Sequence, residues 1–191
     1  MDHLNYKLYY FIDKFEINEI KNLNKKINII YRNYKSKYQI DTINKIKTFC
    51  KKTNRKLFLA NDINLAYNLK LDGVYIPSFN KKLNILNFNK KNFEILGSAH
   101  NFKEINFKKK QGIKTIFLSP IFQSLKNEKY LDIYRFNTLS KFFSKEIIAL
   151  GGIRKNNLKK LNLIRCKGLA AITFFKKHEY WTSKNKNSKI S

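Results

Sequence analysis

Several residues of this 191-residue chain are suited to binding phosphate groups. Gly151 and Gly152 follow an apolar run, and glycines let backbone N–H groups approach an anion closely. Ile172 and Thr173 follow the last apolar run, where the start of a short helix would add its positive dipole end. A polar loop that could close over a ligand begins near Ser124. We assign these five residues to a phosphate-binding set, although a glycine pair alone is equally explained by a tight turn.

Polar residues also follow three other apolar runs. Arg32 offers a planar, always-charged fork that could hold a phosphate, or it is an ordinary surface arginine. Asn61 and Asp62 place an amide beside a carboxylate, which suits a Mg²⁺-phosphate ligand or, alternatively, the N-cap of the next helix. Ser98 and His100 offer a hydroxyl and an imidazole at a helix start. His100 is then either a proton-transfer group or a histidine satisfied at that helix terminus.

The apolar runs that precede these residues predict eight strands. Lysine-rich segments with helical spacing separate them, which is the pattern of parallel β/α units. Their near-continuous apolar character predicts strands that are covered on both faces. The strands are predicted at Leu8–Ile12, Ile27–Tyr31, Leu57–Ala60, Gly73–Ile76, Phe93–Gly97, Thr115–Leu118, Ile147–Leu150 and Leu169–Ile172.

The fold class is therefore α/β, a compact (β/α)₈ TIM barrel with parallel strands, and a doubly wound open sheet is the alternative. In such barrels the working residues lie at the C-terminal ends of the strands. Residues 81–91 are rich in Asn and Lys and form little more than a turn. Helices are predicted at Gln39–Lys51, Asn64–Lys70, Asn101–Lys110, Asn137–Phe143 and Lys155–Ile164.

We expect one domain over residues 1–175, followed by a basic, flexible tail over residues 176–191. The tail has no periodicity, and it contains His178 and Trp181. Packing of Trp181 on the barrel is a better explanation of that residue than binding to a partner.

The formal net charge is +27. Lysine is abundant together with Asn and Ile along the whole chain, which indicates a compositional bias and a solvated surface. The alternative is a field that attracts anionic ligands. We expect no specific nucleic-acid partner, only weak and salt-sensitive binding.

No apolar run approaches the roughly 20 residues that cross a bilayer, and the N-terminal residues lack a signal-peptide pattern. We therefore expect a cytoplasmic protein with no membrane partner. Cys50 and Cys166 lack the spacing of a zinc site, so we interpret both as buried thiols without a disulfide. The sequence is compatible with a homo-oligomer and does not determine the oligomeric state.

Five segments in chain order resemble those of the thiamine phosphate synthase/TenI family, and the similarity extends from Tyr9 to about Phe175. The most specific match is that of residues 59–62 and their continuation at residues 71–76. The segments are Tyr9-Tyr10-Phe11-Ile12-Asp13, Leu59-Ala60-Asn61-Asp62 continued by Leu71-Asp72-Gly73-Val74-Tyr75-Ile76, Ser119-Pro120-Ile121-Phe122, Ala149-Leu150-Gly151-Gly152-Ile153, and Ala170-Ala171-Ile172-Thr173.

The resemblance implies a transferase that joins hydroxymethylpyrimidine diphosphate to a thiazole phosphate and releases diphosphate, with Mg²⁺ as cofactor. Its partners would be these phosphorylated pyrimidine and thiazole molecules. By the same resemblance, roles are implied for six residues: Arg32 and Asn61 for diphosphate, Asp62 for Mg²⁺, Ser98 for the reacting groups, and Gly152 and Thr173 for the thiazole phosphate.

Three departures weaken the diphosphate half of that pattern. The family's Gln-Leu-Arg-Glu-Lys stretch is replaced by residues 30–34, with Lys35 as a candidate for the missing lysine. Asn80 lies where a second metal-binding aspartate is expected, and residues 124–127 replace a Thr-x-Thr-Lys loop. The sequence thus favours a synthase or, alternatively, a TenI-like protein that binds or isomerises thiazole phosphate. A nucleic-acid-binding barrel is the third hypothesis.

Overall fold

Eight parallel strands form a closed barrel in which each strand pairs with its neighbours in chain order and β8 pairs with β1. The computed structural model describes residues 6–88, 92–124, 128–171 and 173–177. The strands are β1 Lys7–Ile12, β2 Ile27–Tyr31, β3 Leu57–Ala60, β4 Gly73–Ile76, β5 Glu94–Ala99, β6 Thr115–Leu118, β7 Glu146–Leu150 and β8 Gly168–Ala171. The predicted parallel (β/α)₈ barrel is confirmed, and the open-sheet alternative is wrong because the β1–β8 pairing closes the sheet.

The helices form the outer layer, and their bounds differ more from the predictions than those of the strands. The two 3₁₀ helices lie where a turn and an α-helix were predicted. The α-helices are α1 Ile17–Lys21, α2 Ile40–Lys52, α3 Ile63–Asn68, α4 Phe102–Lys110, α5 Asp132–Ser140 and α6 Phe174–Lys177, and the 3₁₀ helices are Asn84–Phe88 and Lys155–Leu163.

Two helix predictions need correction. α1 was not predicted, because this five-residue helix buries only Ile20 and carries little periodic signal. The helix predicted from Asn137 begins earlier, at Asp132, whose side chain accepts a hydrogen bond from the backbone N–H of Arg135 at 3.0 Å. That local bond stabilises the first turn and brings Phe136 into the core.

Aromatic rings fill the inside of the barrel. Phe117 makes edge-to-face contacts with Tyr9, Phe11 and Tyr75, with ring centroids 5.0–6.0 Å apart, and Tyr9 also contacts Phe58. Alternate residues of the same strands point outward, so Leu8, Tyr10 and Ile12 pack in the layer beneath the helices. Both faces of the strands are buried, which accounts for the near-continuous apolar runs.

Both cysteines are free thiols. Cys50 is buried, and burial raises the pKa of its thiol to about 12. Cys166 is half-buried, and burial raises the pKa of its thiol as well. No helix in the described part of the chain has both the length and the apolar character that crossing a membrane requires.

Part of the predicted tail and one predicted site residue lie outside the described residues. Helix α6 crosses the predicted boundary after residue 175, and residues 178–191, with His178 and Trp181, are outside the description. The same holds for Ile172, and for residues 125–127 of the segment that replaces the Thr-x-Thr-Lys loop.

Arg55 links three elements at the N-terminal end of the barrel. Its guanidinium is almost fully buried and donates to the carbonyl oxygens of Leu23 at 2.6 Å and Ile27 at 3.0 Å, with further bonds to Asn24 and Ile20. These acceptors lie at the end of α1 and the start of β2, and Arg55 itself precedes β3. In barrels of this type the N-terminal face contributes to stability, whereas the C-terminal face carries the site.

We predict that Arg55→Met lowers the free energy of unfolding by about 3 kcal/mol, because buried carbonyl oxygens lose their donors. Urea unfolding followed by circular dichroism measures this change. The control is Lys56→Met, which removes only a partly exposed ion pair with Glu94 and costs less than about 1 kcal/mol. Equal losses in the two variants would contradict the role given to Arg55.

Candidate functional site

The predicted site residues come together at one rim of the barrel, because the carboxyl ends of parallel strands meet there. They come from the ends of β2, β3, β5, β7 and β8 and from the loop after β6. Those that the structure describes are Arg32, Asn61, Asp62, Ser98, Ser124, Gly151, Gly152 and Thr173.

Arg32 is the residue of this rim best placed to receive an anion. Its backbone N–H donates to the carbonyl of Ile12 at 2.7 Å, which extends the β1–β2 pairing. The guanidinium lies over the ring of Phe11, 4.6 Å from the centroid. Within the described residues it forms no ion pair with a carboxylate. An aromatic face therefore supports the cation while its donors stay available for a phosphate.

Asn61 and Asp62 connect β3 to α3. Asn61 has a φ of 64°, in the left-handed region, and its backbone N–H donates to the carbonyl of Tyr75 at 2.8 Å. Asp62 caps α3, since its Oδ1 accepts from the backbone N–H of Leu65 at 2.9 Å. The helix-cap interpretation of Asp62 is thus confirmed for Oδ1. Metal binding by Asp62 concerns the other carboxylate oxygen, Oδ2, and stays a prediction.

Asn80 follows β4 and bonds to the β3 end. Its Nδ2 donates to Oδ1 of Asn61 at 2.7 Å, and its Oδ1 accepts from the backbone N–H of Lys82 at 3.0 Å. A cavity of about 480 Å³ opens beside this amide pair, and Asp62 and Lys81 also line it. Arg32, Ser98, Gly152 and Thr173 do not line this cavity, so one cavity does not hold every predicted site residue.

A larger cavity of about 560 Å³ lies elsewhere, on the outer surface between α1 and α2. Phe15, Ile17 and Phe49 form its apolar part. None of the predicted site residues lines this cavity.

The residues beside the smaller cavity fit Mg²⁺ only as part of a larger ligand set. Within the described ranges, no group of three or more His, Cys, Asp or Glu side chains could hold a metal ion. The side-chain oxygens of Asn61 and Asn80 already accept hydrogen bonds, and Asp62 is the one carboxylate of the cavity. Mg²⁺ is commonly held by one or two carboxylates together with phosphate oxygens and waters. The set therefore fits an ion that arrives with a diphosphate.

Ser98 lies just beneath the rim and is buried. Its hydroxyl is hydrogen-bonded to that of Tyr75, a residue that sequence reasoning did not assign to the site. Burial raises the pKa of the Tyr75 hydroxyl, while Arg32 opposes that rise. The signal that could have identified Tyr75 is its position one residue before the end of β4, pointing into the barrel.

Tyr34 and Phe79 form a second feature that the sequence analysis missed. Their rings meet edge to face at 5.7 Å, and each is at least half exposed. Because Tyr34 follows β2 and Phe79 follows β4, the pair spans the end of β3 between them. Two large aromatic residues in otherwise polar loops were the available signal.

The glycine pair after β7 is required by close backbone packing. Gly151 and Gly152 have φ values of 95° and 70°. A Cβ on Gly152 would lie 2.1 Å from the carbonyl oxygen of Phe122, and one on Gly151 would lie 2.8 Å from the side chain of Pro120. The loops after β6 and β7 therefore lie against each other, which explains both glycines without a ligand. Their phosphate-binding role stays a prediction.

The other phosphate-binding candidates lie close to these loops in chain topology. Ser124 is half-buried and follows Gln123, whose carbonyl oxygen lies 2.7 Å from an ideal Cβ on Gly152. Thr173 is exposed and directly precedes α6. Asn157 donates to the carbonyl of Gly152 at 2.9 Å, which fixes the glycine turn from the side of the next 3₁₀ helix.

His100 takes part in a helix terminus. Its Nδ1 lies 2.8 Å from Oε2 of Glu104, and its backbone N–H donates to the same oxygen at 2.7 Å. Asn101 caps α4 by accepting from the backbone N–H of Glu104. Of the two hypotheses for His100, the geometry favours the satisfied helix-terminal histidine over a proton-transfer group.

The model of the family described as thiamine monophosphate synthase matches residues 21–175. The thiamine-phosphate synthase of Prochlorococcus marinus strain AS9601 is 30% identical over 132 residues, which are 67% of this chain and 37% of that protein. The same enzyme of Prochlorococcus marinus subsp. pastoris is 30% identical over 61% of this chain and 34% of its own length. The chain thus spans little more than a third of the length of these relatives.

A solved structure shows the same fold. Thiamine phosphate pyrophosphorylase from Pyrococcus furiosus superposes with a TM-score of 0.70 at 16% sequence identity, over 88% of this chain and 87% of that one. At this identity the likeness concerns the fold alone.

Two substitutions separate the capping role of the Asp62 side chain from the role of its charge. We predict that Asp62→Ala lowers the free energy of unfolding by about 1 kcal/mol because α3 loses its cap, whereas Asp62→Asn, which can still accept from Leu65, changes it little. Urea unfolding of both variants checks this. Equal destabilisation by the two would show that the cap is unimportant and that the charge of Asp62 is what stabilises the fold.

Proposed function

Since this chain belongs to the thiamine monophosphate synthase family, we propose that it joins hydroxymethylpyrimidine diphosphate to a thiazole phosphate and releases diphosphate. The family match over residues 21–175 supports the reaction class. The observation that carries the proposal is the guanidinium of Arg32, which lies at the rim over Phe11 with no carboxylate partner among the described residues.

The proposed reaction needs stabilisation of a leaving group more than it needs an acid or a base. The bond between the pyrimidine methylene carbon and the diphosphate oxygen breaks, and the electron pair leaves with diphosphate. The thiazole nitrogen then donates its lone pair to that carbon and forms the new C–N bond. Positively charged groups and hydrogen-bond donors that meet the departing oxygens lower the barrier to the first step.

Arg32 is proposed to hold the diphosphate. Its fork can donate two parallel hydrogen bonds to phosphate oxygens, and its position over Phe11 limits its rotation. Asn61 lies at the end of the neighbouring strand and can turn an amide donor toward the same group. Lys35 is exposed on the loop after β2, where it can add a mobile positive charge.

Mg²⁺ is proposed to enter with the diphosphate and to contact Asp62. When bound, the ion would neutralise negative charge on the leaving group. Asp62 is suited to this contact because its capping bond to Leu65 holds the carboxylate in one orientation at the cavity edge. Asn80 orients Asn61 through their amide hydrogen bond.

The thiazole phosphate is proposed to bind on the opposite side of the rim. Gly152 and Thr173 would contact it through backbone and hydroxyl donors. Gly151 and Ser124 belong to the same predicted set, as does Ile172, which lies outside the described residues. Support comes from the pairing of β7 with β8, which brings the chain segments that carry Gly152 and Thr173 to the same side of the rim. Ser98, hydrogen-bonded to Tyr75 beneath the rim, would lie between the two halves.

The second candidate is a TenI-like protein that binds or isomerises thiazole phosphate without synthase activity. The specific observation in its favour is that Asn80, an uncharged amide, occupies the position expected for a second metal-binding aspartate. Its oxygen is already bonded to the Lys82 backbone. A diphosphate site with one carboxylate holds Mg²⁺ less tightly than one with two.

We predict Mg²⁺-dependent release of diphosphate when the chain is given both substrates, and a loss of about 100-fold in kcat/KM for Asp62→Asn, in line with removal of one charge-stabilising group. A coupled assay for diphosphate measures turnover. The matched control is Asp132→Asn, which makes the same change of charge at the first residue of α5, where the carboxylate likewise accepts from a backbone N–H three residues on, and it should retain full activity.

The outcomes distinguish the two candidates. Turnover that is lost in Asp62→Asn and kept in Asp132→Asn supports the synthase with a single carboxylate. If the wild-type chain binds thiazole phosphate in calorimetry yet releases no diphosphate, the synthase proposal fails and the TenI-like candidate replaces it.

A further inference from the structure

Lys108 is a lysine in the last turn of α4 that is wholly buried. Its aliphatic stem runs along β5, where an ideal Cβ on Gly97 would lie 3.2 Å from its Cδ. Gly97 therefore leaves room for the stem. Its neighbours Lys109 and Lys110 are exposed, so Lys108 differs sharply from the rest of this lysine run.

The ammonium group of Lys108 donates to three oxygens, none of which is charged. They are the carbonyl of Pro77 at 2.7 Å, the carbonyl of Asn80 at 3.1 Å and Oε1 of Gln111 at 2.9 Å. All three N–H donors of the ammonium are thereby used. Two of the acceptors belong to the loop that follows β4, residues 77–82, which we call the β4 loop.

Gln111, just after α4, completes the contact with the β4 loop. This side chain is also buried, and its Nε2 donates to the carbonyls of Asn80 at 3.1 Å and Lys82 at 2.8 Å. Lys108 and Gln111 together direct four hydrogen bonds at three carbonyl oxygens of the loop. The β4 loop thus obtains its polar partners from α4 instead of from water.

A buried cation without a carboxylate partner is energetically unfavourable for the fold, so its presence calls for a reason. An apolar side chain would fill the same space, but the carbonyls of the β4 loop would then lose their donors. The charged groups acting on the ammonium are Lys81 on the loop and Glu104 on α4. Burial and Lys81 lower the pKa of Lys108 to about 8, and Glu104 opposes this effect.

The β4 loop carries Asn80, whose side chain bonds to Asn61 at the candidate diphosphate site. The backbone N–H of Asn80 donates to the carbonyl of Pro77 at 3.1 Å, and that of Lys82 donates to Oδ1 of Asn80. The carbonyls held by Lys108 and Gln111 therefore belong to the same turn that orients the Asn80 amide.

We propose that Lys108 and Gln111 are positioning residues that hold the β4 loop, and with it the Asn80–Asn61 amide pair, in the geometry that receives the diphosphate. The link to diphosphate rests on the proposed function, whereas the anchoring of the loop does not. Neither residue touches the substrate in this arrangement, since both are buried behind the loop.

Amide hydrogen exchange tests the anchor, with the N–H groups of Asn80 and Lys82 as reporters. We expect Lys108→Met to lower their protection about 10-fold, because buried hydrogen bonds are lost. The N–H of Ile105, which bonds to Asn101 within α4, should keep its protection. The matched control is Lys109→Met, which removes an exposed lysine from the same helix and should leave all three amides unchanged.

The wild-type chain gives a second readout through pH. Above pH 8 the neutral amine of Lys108 has two N–H donors for three acceptors, so loop protection relative to Ile105 should fall between pH 7 and pH 9, after correction for intrinsic exchange. The unfolded lysine keeps its proton up to about 10.5, so this deprotonation by itself stabilises the folded chain as pH rises. Loosening confined to the β4 loop is thus distinct from unfolding. The pH effect should vanish in Lys108→Met.

Unchanged loop protection in a folded Lys108→Met variant overturns the proposal, as does an equal change in Lys109→Met. If Lys108→Met does not fold, Gln111→Leu carries the test, because it removes the bonds to Asn80 and Lys82. In that variant, undiminished protection of the Lys82 N–H is the contrary result.

Calorimetric titration with inorganic diphosphate and Mg²⁺ separates this inference from the proposed function. We expect the wild type to bind and Lys108→Met to bind about 10-fold more weakly, with thiazole phosphate affinity equal in both. Equal diphosphate affinity in both proteins refutes the positioning role. A wild type that binds no diphosphate refutes the proposed function and the link to diphosphate, while hydrogen exchange still decides whether Lys108 anchors the loop.

Discussion

The packing of aromatic rings inside the barrel determines where the residues of the rim can lie. Phe117 meets Tyr9, Phe11 and Tyr75 edge to face, and these rings fill an interior that four- to six-residue strands enclose. The upper surface of this packing is also the floor of the candidate site. Phe11 supports the guanidinium of Arg32, and Tyr75 reaches the hydroxyl of Ser98. The core and the candidate site are therefore continuous, since the same rings serve both.

The strands and the closed parallel barrel were predictable because strands buried on two faces need apolar residues at nearly every position. Helix starts were less predictable, since local polar contacts decide them. Asp132 begins α5 through a bond to Arg135, although the sequence pattern places the start near Asn137. The 3₁₀ conformation of Lys155–Leu163 could likewise not be predicted, because the apolar pattern of these residues fits both an α-helix and a 3₁₀ helix.

The residues of the candidate site at the strand ends were predictable, whereas the buried residues and backbone contacts that hold its loops were not. Arg32, Asn61 and Asp62 could be identified because strand ends of a parallel barrel converge. Lys108 could not, because it lies in a run of three lysines within a lysine-rich chain, where burial leaves no mark in the sequence. Gly152 was identified for phosphate contact, but the sequence could not show that the carbonyl of Phe122 lies where a Cβ of residue 152 would be.

Closure of the barrel also restricts how copies of this chain could associate. Every described strand is hydrogen-bonded on both sides, so the sheet has no open edge to which a strand of another molecule could be added. Within the described residues, contacts between copies would instead come from the helical layer or from the loops at either end of the barrel. Exposed rings such as Tyr134 on α5 and Phe102 on α4 offer apolar area there. Quaternary structure and sheet hydrogen bonding are thereby independent properties of this molecule.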